Sequence, residues 1–231
     1  MRANTYISRI SQSPLLARVV PFVLFVGLTS LQDFTGEAGR CWMYLAKTVL
    51  GGWLVWRLWP AVPEMRWQFS GAAVLVGVGV FILWIGLDSF LVWLGFAHSY
   101  PQLKFTGGAW HPEAVFGAGL AWFINGARLL GSSLVVPPIE EVFYRSFLYR
   151  YLQKNDFLSV PLGRWAWGPF LLTSLVFGLG HKEWLAGLLC GFAYQGLVCW
   201  KNRLGDALTA HTITNALLGV YVITRGAWQF W

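Results

Sequence analysis

Val136-Pro137-Pro138-Ile139-Glu140-Glu141-Val142-Phe143-Tyr144-Arg145 sets two neighbouring carboxylates and a guanidinium inside a chain that is otherwise almost continuously apolar. Ionisable groups at membrane depth cost free energy, so each needs a partner or a task. The prolines predict a break after Val136, because a residue before proline is pushed away from helical geometry. A new helix is then expected to start near Pro138 and run to about Leu152, with proline tolerated in its first turn. Glu140 and Glu141 would sit where the positive end of the helix dipole favours an ionised carboxylate. Glu141 and Arg145 are four apart in the favourable acid-then-base order and share a face. Glu140 points about 100° away from Glu141 on a helix of 3.6 residues per turn. Glu141 neutralised by Arg145, with Glu140 left free to act, is the division of labour this predicts.

Composition supplies the class. Of 231 residues, 56% are hydrophobic and 12% are charged, against about 25% charged in soluble domains. An all-α, polytopic transmembrane bundle is the reading that follows. Fifteen Trp and eight Tyr suit rings at headgroup level. The net charge of +7 carries no basic cluster of the nucleic-acid kind. It fits cytoplasmic and lipid-phosphate contacts instead. Cys41, Cys190 and Cys199 lie in apolar runs without metal spacing, so they read as packing residues.

Residues 1–14 are polar, and no signal-peptide cleavage pattern follows them. Apolar segments are expected at about Leu15–Leu31, Cys41–Trp59, Phe69–Phe96 and Ala114–Val136. Three more run at about Trp165–Gly180, Trp184–Trp200 and Ala207–Ile223. With the Glu140 helix they make about eight membrane segments in one domain, residues 1–231, with no internal repeat or linker. Lys47 lies deep and must face protein or water; Asp88 and Arg128 are also deep, and a structural role is expected for them, paired with each other or with Lys47. His98 and His111 fall in a loop, where no catalytic role is expected.

Orientation is left divided. Arg2, Arg9 and the Arg57–Arg66 loop favour a cytoplasmic N-terminus under the positive-inside rule. Strict alternation through eight spans then puts Arg150, Lys154, Arg164, Lys201 and Arg203 outside, which the same rule disfavours. Either the motif helix does not fully cross, or the fold holds those cations.

The last third carries more polar groups. Phe177-Gly178-Leu179-Gly180-His181 ends one apolar segment in a histidine, and His211 and Asn215 share a face of the final segment. Each has a plainer reading: Glu140 as a helix cap, His181 as an interfacial side chain, His211 and Asn215 as glue between membrane helices. Buried polar groups without partners are costly, so convergence of all of them on one wet cavity is the cheaper arrangement.

In that order, Glu-Glu-x-x-x-Arg at 140–145, Phe-x-x-x-His at 177–181 and His-x-x-x-Asn at 211–215 resemble the signature of the CPBP family of intramembrane proteases. That family includes the type II CAAX prenyl endopeptidases and the Abi bacteriocin-processing or immunity proteins. Trp84-Ile85-Gly86-Leu87-Asp88 and Glu183-Trp184-Leu185-Ala186-Gly187 also resemble a bacterial CAAX-protease-related branch associated with exosortase-type sorting. The motifs lie within residues 137–220. The resemblance implies an endopeptidase acting on a membrane-anchored protein or peptide, in a multi-pass protein of the bacterial inner membrane. It implies Glu140 as general base and His181 as the residue orienting or sharing the proton. His211 and Asn215 would stabilise the oxyanion, with Glu141 and Arg145 as structural support. No cofactor is favoured. Zinc held by Glu140, His181 and His211 is the alternative, weighed below metal-free chemistry because no His-Glu-x-x-His is present and Asn is a poor zinc ligand. Two other functions stay open: a non-proteolytic scaffold or bacteriocin-immunity-type protein that binds a partner in the same cavity, and a transporter. The substrate and the oligomeric state are not legible.

Overall fold

The two prolines do not end a helix. In a computed structural model, which describes residues 2–95 and 110–231, the chain runs helically from Pro112 to Tyr151 as one 40-residue element. Its parts are α5 (Pro112–Leu130), a π-helical turn at Gly131–Val135, α6 (Val136–Glu141), a second π-helical stretch at Val142–Leu148, and α7 (Tyr149–Tyr151). The expected start near Pro138 is therefore corrected. Glu140 and Glu141 lie in the body of a long helix, not at its dipole end. The physical reason is the π turn. It passes the Val136 N–H back to the Gly131 carbonyl, so the missing proline N–H groups are taken up by a change of register. Towards its start the same element bends at Gly117, whose φ of 72° only glycine adopts readily.

The remaining helices are α1 (Arg2–Gln12), α2 (Pro14–Gln32), α3 (Gly36–Leu58), α4 (Gly71–Trp93), α8 (Trp167–Leu179), α9 (Trp184–Lys201) and α10 (Gly205–Arg225). No strand occurs among the described residues, and the architecture is the all-α membrane bundle expected. The segment limits agree with the apolar runs to within a few residues, with two exceptions. α3 starts five residues early, and residues 2–12, read only as polar, form α1. Among the described residues, three helices are long and apolar enough to cross a membrane: Pro14–Gln32, Pro112–Tyr151 and Gly205–Arg225. Gly71–Leu87 and Trp167–Leu179 are shorter apolar helices.

Packing follows neighbours in sequence, α2 on α3 and α8 on α9, and adds the long-range pair α4 on α10. Small residues set the close approaches, as is usual where lipid supplies no hydrophobic drive between helices. A Cβ at Gly178 would stand 2.7 Å from the Leu188 nitrogen and the Trp184 oxygen, and one at Gly77 2.7 Å from the Ala210 oxygen. Large apolar side chains such as Val49, Leu75, Phe123 and Leu172 face outward and exposed.

Joining the motif helix to the fourth segment changes how the ends of the bundle are arranged. Glu64, between α3 and α4, accepts from Arg18 at 2.7 Å and from Arg150 at 2.9 Å. Arg203 pairs with Asp206, which also accepts from Ser70. The Gly163 N–H donates to Asn202 at 2.6 Å. The start of α2, the α3–α4 loop, the end of the long helix, the approach to α8 and the α9–α10 turn therefore share one end. It holds Arg57, Arg66, Arg150, Lys154, Arg164, Lys201 and Arg203, with exposed Trp56, Trp165, Trp167 and Trp200 around it. The basic residues expected on opposite sides lie together. Glu64 is bound from several directions. Burial pushes its carboxyl up, but the Arg18 charge and hydrogen bonds from Ser146 and Arg18 outweigh that and hold it below the usual Glu value.

Candidate active site

Glu140 lies eleven residues before the end of the long helix, in its body and away from both termini. A cavity of about 160 Å³ opens there. Glu140, His181, His211 and Asn215 all line it, together with Trp84, Phe177 and Tyr194. All four residues expected to act therefore meet in one space, drawn from the long helix, the turn after α8, and α10.

Each is placed by a nameable interaction. His181 follows α8 directly, and its Nδ1–H donates to the Phe177 carbonyl at 2.8 Å. That bond leaves Nε2 as an acceptor. The Trp84 ring meets the imidazole edge-on, centroids 5.4 Å apart. His211 is buried, and its Nδ1 donates to Glu141 Oε1 at 2.9 Å. Its Nε2 lies 3.9 Å from Glu140 Oε2, too long for a direct hydrogen bond. The Tyr194 ring lies 5.1 Å from the imidazole, and the Tyr194 hydroxyl donates to Thr214 at 2.7 Å. Glu140 Oε2 itself is buried with no hydrogen-bond partner among the described residues. An orphaned carboxylate oxygen in a polar-lined cavity is costly unless something binds it there.

Glu141 does more than the sequence pattern suggests. Spacing identifies Arg145 as its partner, and Arg145 Nε does lie 3.2 Å from Glu141 Oε2, both side chains almost wholly buried. The guanidinium N–H groups are not aimed at that oxygen; the cation rests over the Phe177 ring at 4.3 Å. The well-formed hydrogen bond of Glu141 goes to His211. No spacing rule could have found it, because the two residues are seventy apart.

The prolines have a second consequence. Neither Pro137 nor Pro138 can donate to the carbonyls one turn before them. The Ser133 carbonyl accepts from Thr212 Oγ1 at 2.7 Å, and the Ser132 carbonyl from Asn215 Nδ2 at 2.8 Å. The groups that proline orphans in the long helix thus become the acceptors that fix α10 in register. Asn215 has two amide hydrogens, and one of them is spent here.

Other expectations fare differently. Lys47 and Arg128 are not partners of each other. Lys47 donates to Thr29 Oγ1 at 2.8 Å, and Arg128 lies over Trp110 at 4.0 Å. The Asp88 side chain and His98 lie outside the described residues. His111 precedes α5 without a side-chain capping bond and stands apart from the cavity. Cys190 lines the cavity, and the three cysteines are free. Among the described residues no three His, Cys, Asp or Glu side chains gather as ligands for a metal ion. The set Glu140, His181 and His211 does not close into such a cluster in this geometry.

The fold and the cavity together define an α-helical membrane bundle with carboxylate, imidazole and amide groups around one buried space. Residues 121–217 match the family model of the Rce1-like type II CAAX prenyl endopeptidases. Over that stretch the chain is similar to the CPBP family of intramembrane proteases, which supports a protease of the CAAX endopeptidase kind, and the long apolar helices support an integral membrane protein. The match contains all three motifs and begins after α4. No curated protein and no solved structure matches the chain.

Proposed function

We propose that this protein is an intramembrane endopeptidase in which Glu140 activates water against a peptide bond of a membrane-anchored substrate. The supporting observation is the meeting of Glu140, His181, His211 and Asn215 on one cavity of about 160 Å³. The unpartnered Glu140 Oε2, 3.9 Å from His211 Nε2, leaves room for one small oxygen in contact with both.

In this reading Glu140 takes a proton from water, and the hydroxide attacks the scissile carbonyl carbon. The bare Nε2 of His181 accepts the second hydrogen of that water and aims it. His211, in its protonated form, donates Nε2–H to the developing oxyanion, with Glu141 behind it. Asn215 offers the amide hydrogen left over from its bond to Ser132. The tetrahedral intermediate collapses with cleavage of the C–N bond, and Glu140 returns its proton to the leaving amine. A positioned carboxylate base contributes roughly 10²–10⁴-fold, and oxyanion donors about 3–4 kcal/mol each when tested by removal.

The same reading places the protein as a multi-pass component of the bacterial inner membrane, its basic end in the cytoplasm by the positive-inside rule. The cavity then faces away from the cytoplasm.

Mass spectrometry of membrane peptides from cells with the unsubstituted protein or Glu140→Gln tests the function. Cleavage products that vanish in the variant, at equal protein level, are expected. A cellular phenotype fully kept by Glu140→Gln would overturn hydrolysis and select a partner-binding scaffold.

A further inference from the structure

Next to the catalytic cavity lies a larger one of about 320 Å³, and Trp84, His181, Phe230 and Trp231 line both. Its far wall is cationic. Lys47, 4% exposed, bonds the Thr29 hydroxyl alone among the described residues and faces the rings of Phe25 and Tyr44 at 5.0 and 4.9 Å. Arg128 sits among Trp110, Trp231 and Tyr44 at 4.0, 4.9 and 5.1 Å. No described carboxylate lies within 4.0 Å of either cation. Asp33 and Glu183 line the space further off. Aromatic faces recover part of the cost of burying a cation, and an anion recovers more.

We propose that this vestibule is a substrate subsite for a carboxylate, carried by the peptide on one side of the bond presented to Glu140. The inference rests on the protease reading. A planar carboxylate suits it: the guanidinium can meet both oxygens, and Lys47 adds a point charge across the Tyr44 ring. The size is that of small-ligand pockets. Because the two cavities share a wall of aromatic rings and His181, a chain with its carbonyl at Glu140 has its continuation in the vestibule. The carboxylate can be the peptide's C-terminus or an Asp or Glu side chain.

The test is binding of labelled membrane peptides to the full chain carrying Glu140→Gln, so that turnover does not interfere, and hydrolysis of the same peptides by the unsubstituted protein. The peptides come as free acid or C-terminal amide, and with Glu or Gln near the expected bond. At least tenfold tighter binding of one acid form is expected; whichever pair responds identifies the source. Added Lys47→Met or Arg128→Gln should erase that preference and leave the uncharged peptide's affinity unchanged, while Lys47→Arg keeps it. Lys47 and Arg128 sit on different helices, so each variant is an independent reading if the other fails to fold. Equal affinity for acid and neutral peptides, or equal weakening of both by the variants, overturns the subsite. So does capture of inorganic phosphate or phosphatidylglycerol nanodiscs, but not acid peptides, through these cations. Hydrolysis indifferent to the carboxylate would sink the subsite and leave the protease standing; charge-selective binding without hydrolysis would do the reverse.

Discussion

Glu141 offers the sharpest test of the site, because the structure gives it two duties that separate cleanly. It is fully buried, lies 3.2 Å from Arg145 Nε and accepts from His211 Nδ1 at 2.9 Å. Glu141→Leu strands the Arg145 cation in the core, and breaking a buried pair from one side costs about 3–5 kcal/mol. It also strips His211 of the acceptor that fixes its ring, a hydrogen bond to a charged group contributing about 1.5–3 kcal/mol. If that orientation matters in the transition state, turnover falls roughly tenfold to a hundredfold even in protein that stays folded. The double variant Glu141→Leu/Arg145→Met removes the stranded charge as well. Replacing both members of a buried pair with apolar groups is often neutral or stabilising by about 1–4 kcal/mol. Melting followed by tryptophan fluorescence in detergent should therefore show a large loss for the single variant and recovery in the double. Hydrolysis of a quenched fluorescent peptide should stay low in both. Recovery of activity along with stability would show that Glu141 serves only the ion pair, and the orienting role would be wrong.

Three further outcomes follow from the same geometry. Asn215→Ala should lower kcat by about 10²–10³ with little change in KM, because its free amide hydrogen acts on transition-state charge; Thr212→Val removes the neighbouring tie to Ser133 and should cost about 1 kcal/mol of stability while sparing kcat. Equal kcat losses in the two would reduce Asn215 to glue. The folded carboxyl of Glu64 lies below its ordinary value, so the stability it adds is complete above the usual Glu range and fades as pH falls through the depressed folded value; Glu64→Gln should flatten that acid limb of a melting-versus-pH curve, and an unchanged limb would refute the linkage. Single cysteines at Lys154 and Lys182, probed in intact cells with an impermeant thiol reagent, should label only at 182. Labelling at 154 alone would reverse the orientation.

Reading the chain in one dimension reached far where the relevant physics is local. Apolar run length located the helices, and i,i+4 spacing found Glu141 with Arg145 and placed His211 and Asn215 on one face. The motif order brought Glu140, His181, His211 and Asn215 forward as a group, and they do share a cavity. Local rules also produced the principal error. Proline's steric preference is real, but it foretells a break only if the helix has no other way to absorb two missing donors. Here a π turn ahead of the prolines and two side chains from α10 absorb them. The helix therefore continues, and the cations that alternation had scattered share one end.

What the sequence by itself determined is the class, the helical segments and the membership of the polar site, because hydrophobicity and side-chain spacing act within a few residues. What only the tertiary structure decided is who bonds whom across the bundle: Glu141 with His211, Asn215 with Ser132, and Arg18 and Arg150 on one Glu64. Those pairings are chosen by which donors and acceptors are left unsatisfied when helices pack in an apolar solvent. That choice depends on helix register, rotation and depth, which no stretch of the sequence holds alone.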